Sequence, residues 1–133
     1  MAEEFDIVVY GATGYTGRLV AEHFVREYGN AESGPKWAMA GRSIDKLEAV
    51  RDEIGAPEST PLIAADADDP ASLEAMCNRT KVVLTTVGPY QIYGDKLVAA
   101  CVKTGTDYAD LCGEPAWMCE QIDLHHDAAK ASG

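Results

Sequence analysis

The sequence predicts an α/β domain built on a doubly wound parallel sheet of about five strands in the order 3-2-1-4-5. Three observations carry that expectation. Short β-rich runs alternate with segments of helical period along the whole chain. Each run is followed by a helix, the pattern of βαβ units with parallel strands and right-handed crossovers. At 133 residues, 47% apolar and 25% charged, the chain has the size and balance of one globular domain with its own core.

The first strand is "FDIVVYG" (5–11), β-branched and aromatic and closed by glycine. Leu19, Val20, Phe24, Val25 and Tyr28 then recur at helical spacing, which predicts a helix over 15–28 stopped by Gly29. "GNAESGP" (29–35) is a polar loop before a short second strand, "KWAMAG" (36–41). Ser43 is placed to cap a helix with Lys46 and Leu47 in its first turns, running to about Ile54. "PLIAAD" (61–66) is the third strand. The helix within 68–77 opens with Asp69 as N-cap and Pro70 at its first position. "KVVLTTVG" (81–88) is the fourth strand, followed by a helix over about 92–103 that Gly105 stops. "DYADLC" (107–112) is a shorter fifth strand. A last helix runs from about Pro115 to the end, with Trp117, Gln121 and Leu124 on related turns.

A net charge of −11 argues against nucleic acid and anionic membrane as general partners. No apolar run has the roughly 18 residues of a membrane span. "MAEEF" lacks the basic-then-apolar pattern of a signal peptide, so a cytoplasmic location is expected. Cys77, Cys101, Cys112 and Cys119 form no C-x-x-C pair and have no histidine at zinc-finger spacing. They are expected to be reduced thiols, mostly buried. His125 and His126 point about 100° apart on a helix and make a poor chelate, so no metal site is expected.

The chemistry gathers where parallel strands end. In a doubly wound sheet, ligands bind beyond the carboxyl ends of the strands, at the point where the strand order reverses. Gly11, Gly14 and Gly17 follow the first strand at an even spacing of three. One glycine permits the turn, the next lets the backbone approach a pyrophosphate, and the third lets helix pack on strand. The helix N-terminus adds donors and about half a positive charge. Thr13 and Thr16 can add hydroxyls, and Tyr15 lies between them. This is the phosphate cradle of a Rossmann fold.

The second strand ends "AGRS", where an NAD site would carry an Asp or Glu for the ribose 2′-OH. Arg42 can fork onto a 2′-phosphate, and Ser43 can donate to it, with Lys46 one turn on. No carboxylate lies between residues 36 and 44. NADP is therefore the expected cofactor. At the end of the third strand, Asp66 and the Ala67 backbone are placed to contact the adenine amino group. At the end of the fourth, Val87 and Gly88 allow close approach, Pro89 stiffens the turn, and Tyr90 can border the ribose or nicotinamide. In "DYADLCGE" (107–114), Asp110 is expected as a buried hydrogen-bonding carboxylate and Glu114 as a cap of the last helix, with a nicotinamide-proximal role open to Glu114. His23 falls on the first helix facing away, and nothing fixes a catalytic acid or base.

Taken together, "DIVVYGATGYTGRL", "AMAGRS", "VVLTTVGPYQIYG" and "GTDYADLCGE" resemble the N-terminal part of saccharopine dehydrogenase-like NADP-dependent oxidoreductases, in the branch with the trans-acting enoyl reductases. The resemblance implies NADP binding by Gly11, Thr13, Gly14, Tyr15, Thr16, Arg42, Asp66 and Gly88, and hydride transfer to an imine or an activated double bond. It also implies a chain about three times longer, whose second domain carries much of the site for a small-molecule or acyl substrate. Residues 1–133 are thus expected to be the cofactor domain of a two-domain protein, inactive alone. Apolar surface should be exposed where other parts pack, with self-association through it. Two other readings remain: an NADP-sensing regulator without chemistry, and an extended short-chain reductase or epimerase. The latter needs a Tyr-x-x-x-Lys pair that this sequence does not contain.

Overall fold

The computed structural model describes residues 3–29 and 32–133. Residues 1–2 of "MAEEF" and 30–31 of the polar loop lie outside the described residues. The element order is β1 (Phe5–Tyr10), α1 (Tyr15–Tyr28), β2 (Trp37–Gly41), α2 (Ile44–Glu53), β3 (Leu62–Ala64), α3 (Pro70–Cys77), β4 (Thr80–Thr85), α4 (Tyr90–Tyr93), α5 (Asp95–Thr104), β5 (Asp107–Ala109) and α6 (Pro115–Ser132). The five strands are all parallel, in the order β3-β2-β1-β4-β5. That is the doubly wound sheet the alternating pattern predicts.

Both faces of the sheet are covered, so its central strands are apolar on both sides. Val9 and Met39 pack with Ala21, Phe24, Leu47 and Val50, placing α1 and α2 on one face. Val8, Ala38, Ala40 and Val83 pack with Leu73, Met76, Leu97 and Cys101, placing α3 and α5 on the other. α6 packs beside α5. Its Trp117 and Gln121 are buried, while Leu124, on the same predicted face, is 68% exposed.

Helix starts follow local chemistry. Ser43 Oγ accepts from the Lys46 N–H at 3.3 Å, and Asp69 Oδ1 accepts from the Ala71 N–H at 3.1 Å. These are the N-caps the sequence marks, each satisfying a first-turn donor. The region after β4 departs from expectation. The predicted helix over 92–103 is two helices, α4 and α5, divided at Gly94. A Cβ on Gly94 would lie 2.5 Å from Trp117 Cζ2, so the break is where α6 presses closest. β3, β4 and β5 end earlier than drawn from sequence, because their last residues leave the ladder to form the loops at the sheet's edge.

Candidate functional site

The site begins at Gly11, where the chain leaves β1 with φ +86°. Its N–H donates to the Ala40 carbonyl at 2.9 Å, and its own carbonyl accepts from the Gly14 N–H at 3.0 Å. A Cβ at Gly11 would meet Val87 Cγ2 at 2.6 Å. A Cβ at Gly17 would lie 1.8 Å from the Gly11 carbonyl oxygen, so α1 rests on the turn with no room for a methyl group. Gly14 is the N-cap of α1, extended and with no side chain capping the helix. The first N–H groups of a helix have no intrahelical acceptor. Here they open onto a cleft that Tyr15, Thr16 and Gly17 help to line. Free donors, a helix dipole and a bare backbone make an anion cradle.

The cleft has a volume of about 420 Å³ and lies across the carboxyl ends of the strands. Gly41 and Arg42 form its rim after β2, and Asp66, Ala67 and Asp68 its rim after β3. Arg42 is exposed and has no ion-pair partner among the described residues. Asp66 Oδ1 accepts from the Asp68 N–H at 2.9 Å, which folds this rim into a tight local turn. Across the cleft stand Thr86, Val87 and Gly88 from the loop after β4, with Tyr93 from the end of α4. The Gly88–Pro89 peptide is cis.

That far wall is fastened by residues after β5. Glu114 Oε2 accepts from the Tyr90 N–H at 2.7 Å and Oε1 from the Gln91 N–H at 3.1 Å. The Tyr90 hydroxyl donates to the Thr85 carbonyl at 3.3 Å and accepts from the Leu111 N–H at 3.4 Å. Its ring lies 5.6 Å from that of Trp117, whose Nε1 donates to Asp95 Oδ1 at 2.6 Å.

The ionisable groups near the cleft are set by burial. Tyr10 is 2% exposed; desolvation, assisted by the Asp66 charge, pushes its hydroxyl up to about 12. It stays neutral at physiological pH and is no base. Burial likewise raises Tyr90 and Tyr108, the latter also through its hydroxyl's 2.6 Å hydrogen bond to Asp110. On the far side of the sheet the Cys77 and Cys101 sulfurs lie 3.7 Å apart, and their shared hydrogen bond lowers Cys77 and raises Cys101. Among the described residues no three His, Cys, Asp or Glu side chains are grouped to hold a metal.

The cleft thus brings together Gly11, Thr13, Gly14, Tyr15, Thr16, Gly17, Arg42, Asp66, Ala67, Val87 and Gly88. Ser43, Pro89 and Tyr90 stand outside its lining. Ser43 is occupied as the α2 cap, and Tyr90 is turned inward against Trp117. Tyr93, which sequence reasoning missed, occupies the rim in its place. No local signal marks it: Tyr90 and Tyr93 lie one turn apart on α4, and Tyr90 is buried against Trp117 while Tyr93 stays 40% exposed. Three further expectations are corrected. Asp110 is exposed, with its carboxylate taken by Tyr108 and the Cys112 N–H. Glu114 caps α4 and not its own helix: its carboxylate accepts from the Tyr90 and Gln91 N–H groups and makes no side-chain bond to the start of α6. Of the four cysteines only Cys77 and Cys101 are buried; Cys112 is half-buried and Cys119 exposed.

A doubly wound sheet with an uncapped helix N-terminus at its switch point, and a free arginine where a 2′-phosphate would lie, defines a dinucleotide-binding domain of the NADP type. The family model for the saccharopine dehydrogenase NADP binding domain matches residues 7–133, and the chain belongs to that family; its cofactor is NADP. The trans-acting enoyl reductase of Mycobacterium leprae is 55% identical over 131 residues, covering 98% of this chain and 30% of that protein. The corresponding protein of Mycobacterium ulcerans is 52% identical over the same share of each. The chain therefore spans about 30% of the length of these relatives. Two solved structures share the fold. An Escherichia coli NADPH-dependent quinone oxidoreductase complexed with NADPH aligns with a TM-score of 0.67 at 17% identity, over 92% of this chain and 45% of that one. Saccharopine dehydrogenase (L-Glu forming) from Saccharomyces cerevisiae aligns with a TM-score of 0.62 at 16% identity, over 89% of this chain and 24% of that one.

Proposed function

We propose that this chain is the NADPH-holding domain of a longer, two-domain reductase acting on the activated C=C bond of an acyl substrate. The observation that carries the reading is the cleft itself: open donors at the N-terminus of α1, with unpaired Arg42 on one rim and the Val87–Gly88 turn on the other. The 52–55% identity to trans-acting enoyl reductases supports the reaction class. NADPH, when bound, supplies a hydride.

Each residue has a task in holding it. The N–H groups of Tyr15, Thr16 and Gly17 bind the pyrophosphate, with Thr13 and Thr16 adding hydroxyls. Arg42 takes the 2′-phosphate, with the Lys46 ammonium one turn on adding charge beside it. Asp66 and the Ala67 backbone border the adenine. Gly88 brings bare backbone close to the nicotinamide end beside the Val87 side chain, where Pro89 stiffens the turn. The substrate's own site and the catalytic acid belong to other parts of the protein.

Binding of NADPH and NADH to this domain tests the cofactor reading: NADPH binds at least ten-fold tighter, and equal affinities overturn it. NADPH oxidation by the complete protein with an α,β-unsaturated acyl thioester tests the reaction. Binding without oxidation of any acceptor would instead favour an NADP-sensing regulator. No helix among the described residues is long and apolar enough to cross a membrane. Leu111, Met118, Ile122 and Leu124 are exposed around the start and middle of α6. This surface supports self-association of the isolated domain, and a clean monomer at high concentration by light scattering would count against it.

A further inference from the structure

We infer that Glu114 is a positioning residue for the nicotinamide half of the bound dinucleotide, acting from outside the cleft through the turn that forms its far wall. The inference rests on the NADP reading above. With the 2′-phosphate at Arg42 after β2 and the pyrophosphate at α1, the rest of the molecule must extend toward β4. There the cleft is walled by Val87, Gly88 and Tyr93.

Val87 and Gly88 lead into α4, a helix of four residues, and Tyr93 is its last residue. A single turn cannot hold itself, since its nucleation costs more than its few hydrogen bonds return. Its first donors are the Tyr90 and Gln91 N–H groups, and Pro89 before them offers no side-chain cap. Glu114 supplies what is missing. One carboxylate oxygen takes each N–H, at 2.7 and 3.1 Å. Charge-assisted bonds of this kind are about twice as strong as neutral ones. Both oxygens are spent on a backbone turn 23 and 24 residues away in sequence. The Glu114 N–H is itself anchored on Cys112 Sγ at 3.3 Å. Releasing the carboxylate frees the front of α4, so Gly88 and Tyr93 lose their fixed spacing from Val87, which stays bonded to Thr85 Oγ1 at 3.2 Å.

The adenosine side of the cleft makes none of these contacts. Its turns close locally through Gly11–Gly14, Ser43–Lys46 and Asp66–Asp68, and the tie of Asp68 to Lys96 comes from α5, not from Glu114. A defect at Glu114 should therefore be felt by one half of the ligand only. The fold should tolerate the change, because the Tyr90 hydroxyl and the Trp117 ring keep α4 in place from its other side.

The test compares NADP+ with adenosine 2′,5′-bisphosphate, which carries the 2′-phosphate and lacks the nicotinamide half. Calorimetric titration of Glu114→Gln should show NADP+ binding weakened about ten-fold, the loss of roughly one charged hydrogen bond. The bisphosphate should bind within two-fold of wild type. Glu114→Asp, which keeps the charge, should recover part of the loss. A loss shared equally by both ligands, or by neither, overturns the inference while leaving the cofactor reading intact. Failure of the wild-type domain to bind either ligand overturns both. Linkage gives a second measurement that needs no variant. In the wild-type domain, NADP+ should slow hydrogen exchange at the Tyr90 and Gln91 amides well beyond the effect of the bisphosphate. Equal protection by the two ligands overturns the inference even where the glutamine variant does not fold.

Discussion

The two walls of the cleft are built by opposite strategies. The wall formed after β1, β2 and β3 closes each of its turns locally: Gly14 to Gly11, Lys46 to Ser43 and Asp68 to Asp66 are bonds between residues three apart or fewer, and its longer ties run along the sheet from Gly11 to Ala40 and from Lys96 of α5 to Asp68. The wall formed after β4 is fastened from a distance. Its links to Glu114, Leu111 and, through Asp95, to Trp117 and Gln121 span 21 to 26 residues. A locally closed turn is rigid wherever its strand is placed. A remotely fastened one is only as firm as the β5–α6 segment that holds it. If the dinucleotide lies as proposed, the difference teaches that its phosphate and adenosine contacts are preformed, whereas its nicotinamide end is tuned by the rest of the domain.

The largest expected effect comes from breaking the local wall at its tightest point. Gly17→Ala places a methyl group 1.8 Å from the Gly11 carbonyl oxygen. Thermal or urea unfolding should show a loss of about 1–3 kcal/mol, the usual cost of overpacking, and NADP+ titration should show binding reduced beyond detection. Next comes Arg42→Ala. Loss of charged hydrogen bonds worth about 1.5–3 kcal/mol should weaken NADP+ roughly ten- to a hundred-fold and leave NAD+ nearly unchanged. An equal change for both dinucleotides would remove Arg42 from the 2′-phosphate.

A milder effect tests the remote wall. Trp117→Phe keeps the ring against Tyr90 but removes the donor to Asp95, leaving that carboxylate with Gln121. It should cost about 1–2 kcal/mol in unfolding experiments and weaken NADP+ more than adenosine 2′,5′-bisphosphate. If both ligands lose equally, the walls are not mechanically separate. A pH-dependent effect belongs to Tyr10, on the strand between the walls. Its folded-state value of about 12 lies above the ordinary 10. A raised value contributes stability that is complete below pH 10 and is lost as the pH climbs from 10 through 12. Denaturation followed over that range should show the decline, and tyrosinate absorbance should lag behind that of a free tyrosine.

The same division explains what could be read in advance. Strand order, the Asp69 and Ser43 caps and the Gly11–Gly17 cradle follow from periodicity, capping chemistry and glycine spacing, which act over one or two turns. The division of α4 from α5 was not legible, because Gly94 is forced by the approach of Trp117 from α6. Nor was the exchange of Tyr90 for Tyr93 at the rim. Both are tyrosines on one short helix, and only the packing of α6 decides which faces inward. Glu114 looked like the cap of its own helix for the same reason: nothing near it in sequence reveals the two N–H groups it meets.

By itself, then, the sequence determined the parallel sheet, the phosphate cradle and the preference for a phosphorylated dinucleotide. Each depends on contacts that a residue makes with its immediate neighbours or with the regular geometry of a strand end. Tertiary structure alone decided the shape of the nicotinamide wall. Its hydrogen bonds join segments more than 20 residues apart, and such pairings exist only once β5 and α6 have docked beside β4 and α5.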